Sequence, residues 1–149
     1  MRPLLEYCSP TWSPHHRYLI DKLEKVQKYF TKRIPGLWRV PYIVRLRILN
    51  LKSLEDRRTI YDLTTCFQLL NGHLISEMTN LLVRVDNPRT RGHDCRLIPC
   101  RYLRDVTKFS FINRTIKVWN RLPNDVATSS SVTMFKRRLS VFDIYSLCT

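Results

Sequence analysis

Apolar side chains recur at three- and four-residue steps along most of this chain, the spacing that lines one face of an α-helix. The clearest run is Ile20, Leu23, Val26 (or Gln27), Phe30 and Ile34. It predicts a helix over 13–33, with Ser13 as N-cap and Pro14 at the first helical position. Asp21 stands four residues before Lys25, a favourable pair on a helix surface, and Lys28 and Lys32 continue the polar face. Pro35-Gly36 is a turn pair that stops the helix. Leu4 to Tyr7 and Trp12 read as the end of a preceding helix.

The same spacing returns further on. A short helix is expected over 42–49, with Leu46 and Leu49 inward. Ser53 caps a longer one: Glu55 and Asp56 occupy its first turn, where the helix dipole favours acids, and Ile60, Leu63, Phe67 and Leu70 face inward. Asn71-Gly72 ends it, with Gly72 free to take positive φ. A further short helix is expected over 75–82. From Arg84 to Arg104 the period vanishes, broken by Asn87-Pro88, Arg91-Gly92 and Pro99; 97–103 reads as extended, with a small hairpin. Phe109, Ile112, Ile116 and Trp119 restore the helix until Asn120 to Pro123. A polar linker follows over 124–131. Ser131 then caps a last helix with Val132, Phe135, Leu139 and Phe142 inward and Lys136, Arg137 and Arg138 outward. There is no internal repeat.

This pattern predicts a mainly α fold, a helical bundle-like domain with a small irregular or two-stranded β insert around 84–104. The chain has 149 residues, 44% of them hydrophobic, which fits one domain or one domain with an appendage and argues against wholesale disorder. Only three Gly accompany eight Pro, as in helices with hard stops. No apolar run approaches the roughly 20 residues that span a bilayer, so no membrane partner is expected. Met1 to Pro10 lacks the long apolar core of a secretion signal. Five cysteines at irregular spacings argue for reduced thiols rather than a disulfide framework. The expected location is intracellular, nucleus or cytoplasm.

Charge changes the picture most. Lys and Arg number 26 against 12 Asp and Glu, a net charge of +14. Such a surplus on a small domain implies a polyanionic partner, most simply RNA or DNA. Between Arg84 and Arg121 stand ten cations and three acids, and eight of the ten are Arg, whose planar fork pairs with phosphate. Candidate contacts there are Arg89, Arg91, Arg96, Arg101, Arg104, Lys108 and Arg114, interleaved with Tyr102 and Phe109, for which core packing is the competing role. Lys25, Lys28 and Lys32 form a second stripe, and Lys136, Arg137 and Arg138 a third.

Catalytic chemistry finds little footing. Metal-dependent phosphoryl transfer needs clustered carboxylates, and the adjacent acids Glu55 and Asp56 read as helix-start residues. Three glycines make no phosphate-cradling loop, and no cofactor is expected. His93, Cys95 and Cys100, with Cys66 or His73 as a fourth ligand, raise a zinc site, but zinc ligands usually come as two close pairs and the second is missing; free, partly buried thiols are the preferred reading. His15-His16 reads as an exposed helix start. Asn113-Arg114-Thr115 matches a glycosylation sequon, yet lies in a predicted helix.

Several blocks carry more than composition does. They begin with the run Arg2-Pro3-Leu4-Leu5-Glu6-Tyr7-Cys8-Ser9-Pro10-Thr11-Trp12-Ser13-Pro14. Ile20 to Gln27, Ile34-Pro35-Gly36-Leu37, Leu49 to Glu55, Arg57-Arg58 and Leu69 to Gly72 follow. Thr90 to His93, Phe109-Ser110-Phe111, Val118-Trp119-Asn120-Arg121-Leu122-Pro123, and Ser131-Val132 with Phe135 to Leu139 complete them. In this order they resemble the C-terminal region of reverse transcriptases from non-LTR retrotransposons of the jockey and CR1 type. The resemblance implies the end of the polymerase thumb over 1–33 and a basic post-thumb region over 34–149. The family's Phe/Tyr-Ala-Asp-Asp motif, its further palm Asp and its endonuclease have no counterpart here. The resemblance therefore implies a non-catalytic fragment that holds RNA or DNA, with the remainder of such an enzyme as a further partner. Two alternatives stand beside it: a protein-interaction piece, or a non-functional relic, that normally docks on the missing polymerase domains through an apolar patch near Leu4, Leu5, Tyr7 and Trp12.

Overall fold

The computed structural model describes residues 5–74, 77–85 and 93–141. Among these the chain is mainly α. Its helices are α1 (Ser9–Trp12), α2 (Arg17–Lys32), α3 (Tyr42–Ile48), α4 (Leu54–Leu70), α5 (Asp105–Lys108), α6 (Phe111–Trp119), α7 (Asn124–Ala127) and α8 (Val132–Val141), with a 3-10 turn at Glu77–Leu81. Strand structure is confined to one antiparallel bridge, Arg84 with Leu97. No helix among the described residues is long and apolar enough to cross a membrane.

The chain divides into two compact units, one ending at Arg58 and one beginning at Thr59. The break falls inside α4. What ties 17–32 to the residues after it is Glu24. This buried carboxylate accepts the backbone N–H of Leu54 at 3.1 and 3.3 Å and the hydroxyl of Tyr42. It thus places an anion at the positive end of α4. Gln27 adds a bond from Nε2 to the Lys52 carbonyl at 2.9 Å, and Arg57 pairs with Glu6 at 2.7 Å.

The interior of this first unit is unusually polar. Its buried side chains include Ser9, Glu24, Thr31, Arg45, Ser53 and Arg58, and Leu54 is the one fully buried apolar residue among its described positions. The expected apolar stripe on α2 is correspondingly rotated: Ile20, Leu23 and Val26 are half-buried, Phe30 and Ile34 are exposed, and Glu24 and Thr31 lie deepest. Asp21 pairs with Arg17 at 3.3 Å rather than with Lys25. Ser13 does not cap α2. It closes α1, and α2 starts at Arg17 after His16, because Ser13 N–H is still bonded to the Ser9 carbonyl at 3.0 Å.

The second unit has an apolar core. Leu63, Cys66, Phe67 and Leu69 of α4 meet Phe111, Ile112, Ile116 and Trp119 of α6, Val126 and Ala127 of α7, Phe135 and Leu139 of α8, and Leu82, Leu97 and Leu122 from the connections. Phe67 and Phe135 stack at 4.5 Å between centroids, and Trp119 lies 6.0 Å from Phe135. Residues 124–127, expected as linker, instead form α7, because Val126 and Ala127 are drawn into this core.

Helix ends follow local chemistry. Ser53 Oγ accepts Asp56 N–H at 3.0 Å and Ser131 Oγ accepts Met134 N–H at 3.2 Å, the N-cap bonds expected of both. At the end of α4, Gly72 N–H bonds Leu69 O and His73 N–H bonds Gln68 O, a Schellman turn with Gly72 at φ +70°. The same pattern ends α3, where Asn50 holds φ +48° while Asn50 and Leu51 bond back to Arg47 and Leu46.

Candidate nucleic-acid interface

Of the cations singled out from the sequence, Lys25 and Lys32 on α2, Arg101 and Arg104 before α5, and Lys136, Arg137 and Arg138 on α8 are exposed. Lys28, Arg96 and Lys108 are half-buried. Lys28 places its ammonium 5.3 Å from the Tyr42 ring centre, and Lys108 lies 5.2 Å from that of half-buried Phe109. Arg138 donates from Nη1 to the Asp125 carbonyl and to Ser129 Oγ. Arg89 and Arg91 lie outside the described residues, as do Leu4 and Phe142. Arg114 differs in kind. Its guanidinium is bound to buried Asp62, Nε to Oδ2 at 2.8 Å, so it serves the fold rather than a surface.

The irregular basic segment is anchored by the end of α6. The side-chain amide of Asn120 pairs with both backbone groups of Leu97, accepting at 2.9 Å and donating at 2.8 Å, as a neighbouring strand would. On its other side Leu97 is flanked by the bonds Val85 N–H to Arg96 O and Ile98 N–H to Val83 O. The extended segment therefore pairs upstream, with 83–85, instead of folding back over 97–103. Trp119 Nε1 donates to Cys95 O at 2.8 Å, and buried His93 donates from Nε2 to Trp119 O at 2.9 Å. Trp119 and Asn120 thus hold the start of a segment whose next residues, Arg101 to Arg104, stand in solvent.

These bonds also account for the other candidates. His93 is occupied by Trp119, and Cys100 leans on the Leu81 carbonyl at 3.7 Å. Among the described residues no three His, Cys, Asp or Glu side chains gather where they could hold a metal ion. Cys8, Cys66, Cys95 and Cys100 are free thiols, and burial beside Asp62 pushes Cys66 up to about 12. Asn113 is buried, its Nδ2 bonded to Thr107 O at 2.8 Å. Glu55 and Asp56 are helix-start acids: Asp56 bonds Ser53 at 2.6 Å and Glu55 pairs with Arg17 at 3.0 Å.

Six of the described acids are engaged in the fold, while Glu77, Asp94, Asp105 and Asp125 are exposed. Glu6, Asp21, Glu24, Glu55, Asp56 and Asp62 each hold a cation, a hydroxyl or a backbone N–H within their own unit. Exposed cations outnumber these four acids, with Lys25, Lys32, Arg101, Arg104, Lys136, Arg137 and Arg138 all facing water.

One set of residues escaped the sequence reading. Arg33 lies over the Tyr29 ring at 4.3 Å, Lys22 over Tyr18 at 5.7 Å, and Arg39 over Trp38 at 4.2 Å. Exposed pairs of this kind are each worth about 0.5–1 kcal/mol, enough to orient a ring but not to bury it. The i,i+4 spacing of Tyr18 with Lys22 and of Tyr29 with Arg33 is the signal in the sequence that marks them.

The first unit also carries an apolar groove of about 310 Å3, lined by Leu5, Val26, Phe30, Ile34, Leu51 and Leu54 with Gln27 and Thr31. Tyr7 is exposed, and Trp12, whose Nε1 donates to Tyr7 O at 2.6 Å, is partly so. No protein-family model, curated protein or solved structure matches the chain.

Proposed function

We propose that this chain binds the backbone of RNA or DNA through its exposed cations and performs no catalysis itself. In this reading it is the C-terminal, thumb-end and post-thumb part of a non-LTR retrotransposon reverse transcriptase. The observation that carries the binding role is exposed positive charge: Lys25, Lys32, Arg101, Arg104, Lys136, Arg137 and Arg138 stay exposed, while the buried acids Glu24 and Asp62 are engaged in the fold. Cations left in this state can displace the counterions condensed on nucleic-acid phosphates, so binding should weaken steeply and log-linearly with salt. The ordered sequence blocks support the assignment to a polymerase tail. Filter binding across a salt series tests the reading. Replacing Arg89, Arg91, Arg96 and Arg101 together by Ala should lower the slope; a flat salt response, or no binding at low salt, overturns it.

A second role is favoured by a separate observation. With Leu54 as the one fully buried apolar residue among its described positions and an open apolar groove beside it, the first unit has the surface of a piece that docks on another protein. Within the polymerase reading that partner is the remainder of the enzyme. Binding by a separately produced palm and thumb, abolished by Phe30→Asp, tests it.

A further inference from the structure

Tyr18, Lys22, Lys25, Tyr29 and Arg33 follow one another along α2 and the turn after it at steps of four, three, four and four. At 3.6 residues per turn they fall within about 80° of one another, on the side opposite Glu24, Gln27 and Thr31. Tyr18 and Tyr29 keep 60% and 53% of their surface in water. Their rings stand about 16 Å apart along the axis, with Lys22 and Lys25 between them. The one acid beside this stripe, Asp21, is held by Arg17. Trp38, 58% exposed, repeats the arrangement with Arg39 in the turn that follows.

An exposed aromatic ring on a basic helix is neither core nor solvated charge. Phosphates alone would ask only for the cations. Rings held in place by a neighbouring cation offer a flat π-face next to a positive charge, which is the chemistry that takes an unpaired base together with its phosphate. A duplex keeps its bases stacked on one another and cannot use the rings.

We infer that this face of α2 is a stacking platform for single-stranded nucleic acid, with Tyr18, Tyr29 and Trp38 taking bases and Lys22, Lys25 and Arg33 taking the intervening phosphates. The inference rests on the nucleic-acid reading above and narrows it to unpaired strands at this site. The groove lined by Phe30 and Ile34 lies on a different part of the helix and is not involved.

The test uses the full chain with oligothymidylate, a DNA duplex of matched phosphate number, and phosphatidylserine vesicles. Tyr18→Leu/Tyr29→Leu should weaken strand binding about tenfold or more, leave duplex binding within about twofold and keep the salt slope. Tyr18→Phe/Tyr29→Phe should restore strand affinity, since the π-face is retained. Trp38→Leu, outside any helix, should weaken the strand alone even if the double Leu variant loses α2. Lys22→Ala/Lys25→Ala/Arg33→Ala should lower the salt slope. Equal loss on strand and duplex, no loss on the strand, or loss confined to the vesicles overturns the platform while leaving backbone binding intact. Failure of the unchanged protein to bind strand or duplex overturns both.

Discussion

Arg114 grips Asp62 with two guanidinium nitrogens, Nε at 2.8 Å from Oδ2 and Nη2 at 3.3 Å from Oδ1. Asp62 is buried and Arg114 only partly exposed, so either partner alone would be left charged with little water around it. Arg114→Ala should therefore cost about 2–4 kcal/mol of stability in urea unfolding. It should leave the salt slope of nucleic-acid binding unchanged. A loss below about 1 kcal/mol, the range of a surface pair, together with a lower slope would return Arg114 to the binding surface.

Glu24 performs the corresponding service in the first unit. Glu24→Ala strips the buried Leu54 N–H and the Tyr42 hydroxyl of their acceptor at once. Losing a charged acceptor costs about 2–3 kcal/mol. The far-ultraviolet helix signal should fall along with stability, because the same carboxylate faces the start of α4; helicity unchanged by the substitution would contradict this role.

Cys66 makes the fold sensitive to alkaline pH. Its thiol is lifted by burial first and by Asp62 second, from an ordinary 9.0 to about 12. The folded form holds its proton more tightly than the unfolded one. The stability this contributes is intact below about pH 9 and declines as pH rises toward 12, by about 1.4 kcal/mol per pH unit. Cys66→Ala should flatten that decline. In native protein, exposed Cys8 should react with a thiol reagent at pH 8 while Cys66 does not.

The two Schellman turns predict opposite signs. Gly72 has open space around a built Cβ but holds φ +70°, so Gly72→Ala should cost about 1 kcal/mol through the backbone alone. Asn50 carries a side chain at φ +48°, and Asn50→Gly should be neutral or gain a few tenths of a kcal/mol, within roughly 0.5. Thermal unfolding of both variants checks the pair.

Core content should order local stability. Amides of α6, α8 and the second half of α4 surround the apolar core, whereas α2 and α3 rest on polar contacts and one buried leucine. Native-state hydrogen exchange should be slowest in the former and faster in the latter. Uniform protection across α2 and α6 would contradict this.

What the sequence disclosed was local. Ser53, Ser131 and Gly72 act within four residues, and each lies where its chemistry required. The buried face of α6 was readable because Ile112, Ile116 and Trp119 meet an apolar core. The stripe on α2 was read too simply, since the deepest position is a carboxylate whose partner Leu54 lies 30 residues away. Nothing local marks that bond. Likewise the four residues of α7 are too few to show a period, and Leu97 finds its partners in Asn120 and 83–85 only once the chain has folded. At the interface, the exposed stripes on α2 and α8 were legible as charge, while Arg114 could not be told from its neighbours until Asp62 was seen beside it.

Asn113 gives the fold an unexpected incompatibility. Its amide nitrogen, the atom to which an oligosaccharide would be joined, is bonded to Thr107 and enclosed. Sugar addition and completion of α6 are therefore competing fates for one side chain. A chain sent through a glycosylating route would have to finish folding before the transferase arrives, or carry a glycan where its core must close. For production in such a host, abolishing the sequon by Thr115→Ala while keeping Asn113 would decide the race in favour of the fold.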